Sequence, residues 1–117
     1  MSLIEDIGKL GVNVEDGLVR FMNNASLYER MLKKLPAVLE KSRVMPCFES
    51  GDLETAYSNA HTIKGVVGNL SVEPLFTGYS GIASLLREGK NDEAKALLEK
   101  TLEQERPIVE CIKKYSD

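Results

Sequence analysis

The chain has no tryptophan, a single histidine, two cysteines and four prolines among 117 residues. Each shortage excludes something. One histidine cannot build a multi-histidine metal centre, and no Cys-x-x-Cys pair replaces it. Cys47 and Cys111 are too few for a disulfide framework, so both read as free thiols of a reducing compartment, small apolar residues by default. No apolar run reaches the about eighteen residues that a membrane-spanning helix needs. The start, Met1-Ser2-Leu3-Ile4-Glu5-Asp6, lacks the basic and apolar regions of a secretion signal. Basic charge is not in excess: 15 Lys and Arg against 18 Asp and Glu leave a net charge of −3, which gives no support to nucleic-acid binding. No glycine-rich phosphate loop and no nucleophile elbow is present. These readings predict one cytoplasmic domain over residues 1–117, with no metal, cofactor, nucleic acid or membrane partner.

What is present is helical periodicity. Hydrophobic residues make up 43% of the chain and charged residues 28%, ordinary for a globular domain and too apolar for a disordered one. Apolar residues recur at three and four almost throughout. The spacing predicts short helices over Leu3–Lys9 and Val14–Phe21. A capping box is read at Ser26-Leu27-Tyr28-Glu29, with Asn24 a competing cap. A long helix then carries Leu27, Met31, Leu35 and Val38, bent at Pro36. Pro46 and Gly51 mark a loop. A third helix from Asp52 buries Leu53, Ala56, Ala60, Ile63 and Val67. A fourth starts at Pro74 and buries Leu75, Tyr79, Ile82 and Leu86. The last carries Ala94 to Ile112 and is kinked or split at Pro107. Four long amphipathic helices joined by short connections pack naturally as an antiparallel up-down four-helix bundle, an all-α fold with the short N-terminal helices covering one end.

The informative stretch is Ala60-His61-Thr62-Ile63-Lys64-Gly65-Val66-Val67-Gly68-Asn69-Leu70. His61 lies about 100° round from buried Ala60, on the outer flank, so its imidazole is expected to be exposed at least in part. Lys64, Gly65 and Gly68 follow at three, four and seven residues and share that flank. Glycine inside a helix costs about 1 kcal/mol relative to alanine. At Gly65 the missing side chain opens room for a phosphoryl group and for a partner's surface. Close helix packing is the alternative reason for Gly65, and Gly68 reads better as packing or a helix end. The Lys64 ammonium can pair with phosphoryl oxygens. Neutral imidazole is a nucleophile towards activated phosphorus. No second acid or base accompanies it, so the pattern describes a carrier of a group, not an autonomous enzyme.

His61-x-x-Lys64-Gly65 on an amphipathic helix, in an all-helical chain of this length, resembles the histidine-containing phosphotransfer (HPt) domain. Gly17-Leu18-Val19-Arg20-Phe21, then Asn24 and Leu27-Tyr28, is similar to the family's opening helices. The resemblance runs from about Val14 to Tyr115. It implies that His61 takes a phosphoryl group on the ring nitrogen remote from the backbone. The partner would be a response-regulator receiver aspartate, free-standing or in a hybrid histidine kinase. Lys64 would steady the group and Gly65 would permit docking. The receiver would bring Mg²⁺, and the first helix, through Leu18, Phe21 and Met22, would contact the receiver. Those three residues read otherwise as core. A monomer is expected.

A hairpin with its midpoint near Val72 sets His61 opposite Ile82 and Ala83, and Lys64 opposite Ser80. Ala83 is then expected to line the site. Many family members carry a polar side chain there, and Ala83 departs from that pattern. Ser80, Ser84 and Arg87 are the candidates to replace it. Two other readings remain open: a docking bundle that binds a receiver without being phosphorylated, and the phospho-accepting module of a chemotaxis-type kinase.

Overall fold

The computed structural model describes residues 2–116, and these form eight helices and no strand. In chain order they are α1 (Leu3–Gly8), α2 (Val14–Arg20), α3 (Ala25–Leu32), α4 (Leu35–Lys41), α5 (Met45–Ser50), α6 (Leu53–Asn69), α7 (Glu73–Arg87) and α8 (Asn91–Lys114). The molecule measures 41 × 25 × 20 Å. Among the described residues no helix is long and apolar enough to cross a membrane.

The three long helices organise the packing. α7 lies between α6 and α8 and packs extensively on both, while α1 and α4 add to α8, and α4 and α5 to α6. The expected stripe of α6 is buried at Ala56, Ala60, Ile63 and Val67, with Leu53 only half-buried. Leu75, Tyr79 and Ile82 of α7 and Leu98, Ile108 and Ile112 of α8 complete the same core, while Leu86 sits at its edge. Burial of such side chains contributes roughly 1.5–3 kcal/mol each.

The long helix expected over Leu27–Ser42 is two helices. Lys34 N–H reaches back to Met31 O at 3.1 Å, a tightened terminal turn, and Pro36 sits in the first turn of α4. Proline without its N–H cannot continue the ladder from Leu32, but it suits a helix start. The same preference places Pro46 inside a short helix, α5, where a loop was expected, and Gly51 closes it with a left-handed φ of 76°. The N-cap of α3 is Asn24, whose Oδ1 accepts from Leu27 N–H at 3.0 Å, so the Ser26 capping box does not form. α8 is not split at Pro107. Pro107 and Glu103 lie on the exposed face, where water can satisfy the carbonyl that proline leaves free.

The short N-terminal helices are fastened to the turn between α6 and α7. Asn13 N–H donates to Ser71 O at 3.0 Å, Ser71 Oγ donates to Asp16 Oδ2 at 2.5 Å, and the buried Tyr28 hydroxyl donates to Leu70 O at 2.7 Å. Ser71 holds a left-handed φ of 58° at this junction. Gly17 lies so close over Tyr28 that a Cβ there would overlap the phenol ring. These contacts set α2 beside the C-terminal half of α6.

Candidate functional site

Asp52 starts α6: its Oδ1 accepts Thr55 N–H at 3.1 Å and its Oδ2 accepts Thr55 Oγ1 at 2.7 Å. These bonds hold the Asp52 carboxyl below the usual carboxylate range. The cap sets the start of a 17-residue helix, and burial of Ala56, Ala60, Ile63 and Val67 sets which side faces inward. With the Ala60 and Ile63 side inward, Tyr57, His61, Lys64, Gly65 and Gly68 fall along the neighbouring flank. His61 is exposed, as its position beside Ala60 requires, and Lys64 is half-buried with no ion pair among the described residues.

The two glycines of this flank differ. A Cβ on Gly65 would meet nothing within 4 Å, whereas one on Gly68 would meet two ring carbons of Phe76 at 3.0 Å. Gly68 is therefore a packing position against α7. Packing gives no reason for Gly65, so its place in an exposed helix interior calls for a reason outside the folded chain. A cleft of about 360 Å³ opens beside it, lined by Lys64, Gly65, Gly68, Phe76, Asp16 and Arg20. Arg20 is already paired, its Nε 2.8 Å from Asp16 Oδ2. The bonds from Ser71 and then Arg20 keep the Asp16 carboxyl low. Lys64 is thus the unpaired cation on this side of His61.

On the other side, Tyr57 lies one turn before His61 with its ring nearly parallel to the imidazole: centroids are 6.0 Å apart and the planes differ by 11°. Arg87, at the end of α7, donates from Nη2 to Tyr57 Oη at 2.6 Å. Its guanidinium carbon is 5.6 Å from the Tyr57 ring centroid. That hydrogen bond raises the already high pKa of Arg87, so it is a fixed cation.

The expected hairpin midpoint holds. Tyr57 with Arg87, and Gly68 with Phe76, are both symmetric about Val72. The side chains at the mirrored positions behave differently from expectation. Ala83 is 5% exposed and belongs to the core, so it does not line the site. Ser80 Oγ is buried without a hydrogen-bond partner, and no contact brings it to His61. Ser84 is exposed. Arg87 alone of the α7 candidates joins the group around His61, through Tyr57. Tyr57 itself was not singled out in the sequence, although its place four residues before His61 was the available signal.

The expected docking residues spread over α2 and its end. Leu18 and Phe21 are half-buried, with Phe21 5.4 Å from the Tyr28 ring. Met22 is 89% exposed and Val19 is 67% exposed. Met22 and Asn23 both take left-handed backbone, φ 56° and 60°, which is uncommon for methionine. The turn thus holds Met22 out in solvent. No protein-family model matches the chain, and no curated protein or solved structure matches it.

Proposed function

We propose that the chain is a phosphocarrier of the HPt type, working between receiver domains. The observation that carries this reading is an exposed His61 on an unbroken helix, with an unpaired Lys64 one turn on and a Gly65 that packing does not require. The pairings of Tyr57 with Arg87 and Gly68 with Phe76 run α6 and α7 in opposite directions. With α8 returning beside α7 and α4 packed on both α6 and α8, this supports an antiparallel bundle of four helical layers, α4 standing as the fourth.

The chemistry is a phosphoryl exchange. The lone pair of a neutral imidazole nitrogen attacks the phosphorus of a receiver's aspartyl phosphate. A P–N bond forms as the P–O bond to the carboxylate breaks, and the carboxylate leaves with that electron pair. The reverse step loads a second receiver. Positioning and charge stabilisation dominate such transfers, and Mg²⁺ belongs to the receiver. Lys64 offsets the charge on the phosphoryl oxygens, and the missing side chain at Gly65 lets the receiver approach. Val19 and Met22, exposed on α2 and at its end, offer apolar surface for the receiver.

The test is intact mass after mixing the protein with a panel of phosphorylated receivers, beside His61→Gln. Gain of one acid-labile phosphoryl group by the unaltered protein alone is the expected result. Binding of a receiver without any gain would replace this reading with a docking bundle, to which the buried Ala83 already lends some support.

A further inference from the structure

We propose that Tyr57 is the positioning residue of this site, fixing the plane of His61 and holding Arg87 as the second phosphoryl-facing cation. The inference rests on the phosphocarrier reading of His61. Three contacts carry it: the near-parallel rings of Tyr57 and His61, the Arg87 to Tyr57 Oη bond at 2.6 Å, and the guanidinium 5.6 Å from the Tyr57 centroid.

The physical problem is an exposed imidazole. A solvent-facing histidine on a helix samples several rotamers, and only one presents a ring nitrogen outward along the line of attack. A ring stacked alongside, one turn back on the same flank, removes much of that freedom. Arg87 poses the same problem on a larger scale, because a long exposed side chain loses rotamer entropy when it must hold one place. Its bond to Tyr57 Oη meets that cost before a phosphoryl group arrives. One guanidinium N–H is engaged by Tyr57, and the planar fork keeps others for phosphoryl oxygens. Lys64 one turn after His61 and Arg87 one turn before it then flank the transferred group with positive charge. The buried Ala83 leaves α7 without a polar group directly opposite His61, and Arg87 is the α7 side chain that the Tyr57 contact draws towards it.

Phosphoramidate, a small phosphoryl donor that transfers its group to imidazole nitrogen with release of ammonia, tests this without a partner protein. Unaltered protein, Tyr57→Phe, Tyr57→Leu, Arg87→Gln and His61→Gln are compared for rate of mass gain, for the lifetime of phosphohistidine, and for thermal unfolding. Because the chain has a single histidine, one imidazole signal reports its ring environment by proton NMR. Tyr57→Phe keeps the stacked ring and loses the Arg87 bond. It and Arg87→Gln should each slow loading about five- to tenfold, and the double variant no more than the slower single, as expected of groups acting as a unit. Tyr57→Leu should slow it further and remove the ring-current shift of the His61 protons. Tyr57→Phe and Arg87→Gln should melt with the unaltered protein, since the first keeps the ring and Arg87 is exposed. Tyr57 is half-buried against the core, so Tyr57→Leu should melt lower, and its loading is read well below its melting temperature. Loading of every Tyr57 and Arg87 variant at the unaltered rate would overturn the proposal and leave the phosphocarrier reading intact. No loading of the unaltered protein, from phosphoramidate or any receiver, would overturn both. An unchanged imidazole signal in Tyr57→Leu would show that the rings do not stack in solution and would overturn the positioning role alone.

Discussion

Gly65→Ala should make the protein more stable and less active, and the two effects can be read separately. The position lies inside α6, twelve residues after its first residue and four before its last, with helical neighbours on both sides. An added Cβ meets no atom within 4 Å, so there is no steric cost to subtract. The gain is then the helix-propensity difference, about 0.5–1 kcal/mol. For a domain of this size that corresponds to a rise of about 2–4 °C in melting temperature. On the phosphocarrier reading, the same methyl group stands in the space a receiver would enter next to His61. A displacement of about 1 Å at a reacting centre can cost a factor of about a hundred, so transfer should slow at least about tenfold. Differential scanning calorimetry reads the first effect and rapid-quench transfer from a phosphorylated receiver reads the second. Gly68→Ala is the control, since its Cβ meets the Phe76 ring at 3.0 Å and that ring, 41% exposed, has only to give by a few tenths of an ångström. It should be near neutral in both assays. A fall in melting temperature for Gly65→Ala would refute the claim that nothing packs there. An unchanged transfer rate would refute the claim that the glycine keeps the site open.

Two further outcomes concern the scaffold. Gly17→Ala forces the Tyr28 ring away from α2 and breaks its bond to Leu70 O, so urea unfolding should show a loss of about 2–4 kcal/mol; a loss below about 0.5 kcal/mol would mean that α2 slides off the bundle at little cost. At alkaline pH, burial and then the Asp16 charge push the Tyr28 phenol up to about 12. A folded pKa above the unfolded value near 10 means this contribution is complete below pH of about 10 and fades as pH rises towards 12. Tyrosinate absorbance of the unaltered protein and of Tyr28→Phe, with urea unfolding at each pH, checks this, and ionisation of Tyr28 with the freely exposed phenols would contradict it.

Much of the fold was legible because burial imposes a period. Ala56, Ala60, Ile63 and Val67 repeat at helical spacing and all are buried, which also fixes where His61 must point. Element boundaries were less legible where proline is involved. Pro36 is compatible with a bend inside one helix or with the first turn of a new one, and the residues around it, Lys33 and Lys34, are polar in either case. Tertiary packing decides: breaking the chain there lets α4 turn to meet both α6 and α8 while α3 stays under α2. Pro107 went the other way because its lost hydrogen bond faces water and α8 keeps its apolar stripe across it.

The site divides along the same line. A hairpin register fixes which residues sit at the same height, and Val72 was the right centre. Register says nothing about reach. Ala83 is level with His61 but short and turned into the core, while Arg87 begins one turn away and is long enough to return to Tyr57. Tyr57 was invisible for a related reason: an aromatic four residues before a histidine is compatible with core, with solvent or with a stack, and only the orientation of α6 against α7 selects the stack. What the periodicity could supply was the histidine, its flank and an unexplained glycine. The neighbours that would tune the histidine come from side-chain length across a helix pair, and they are found only once that pair is built.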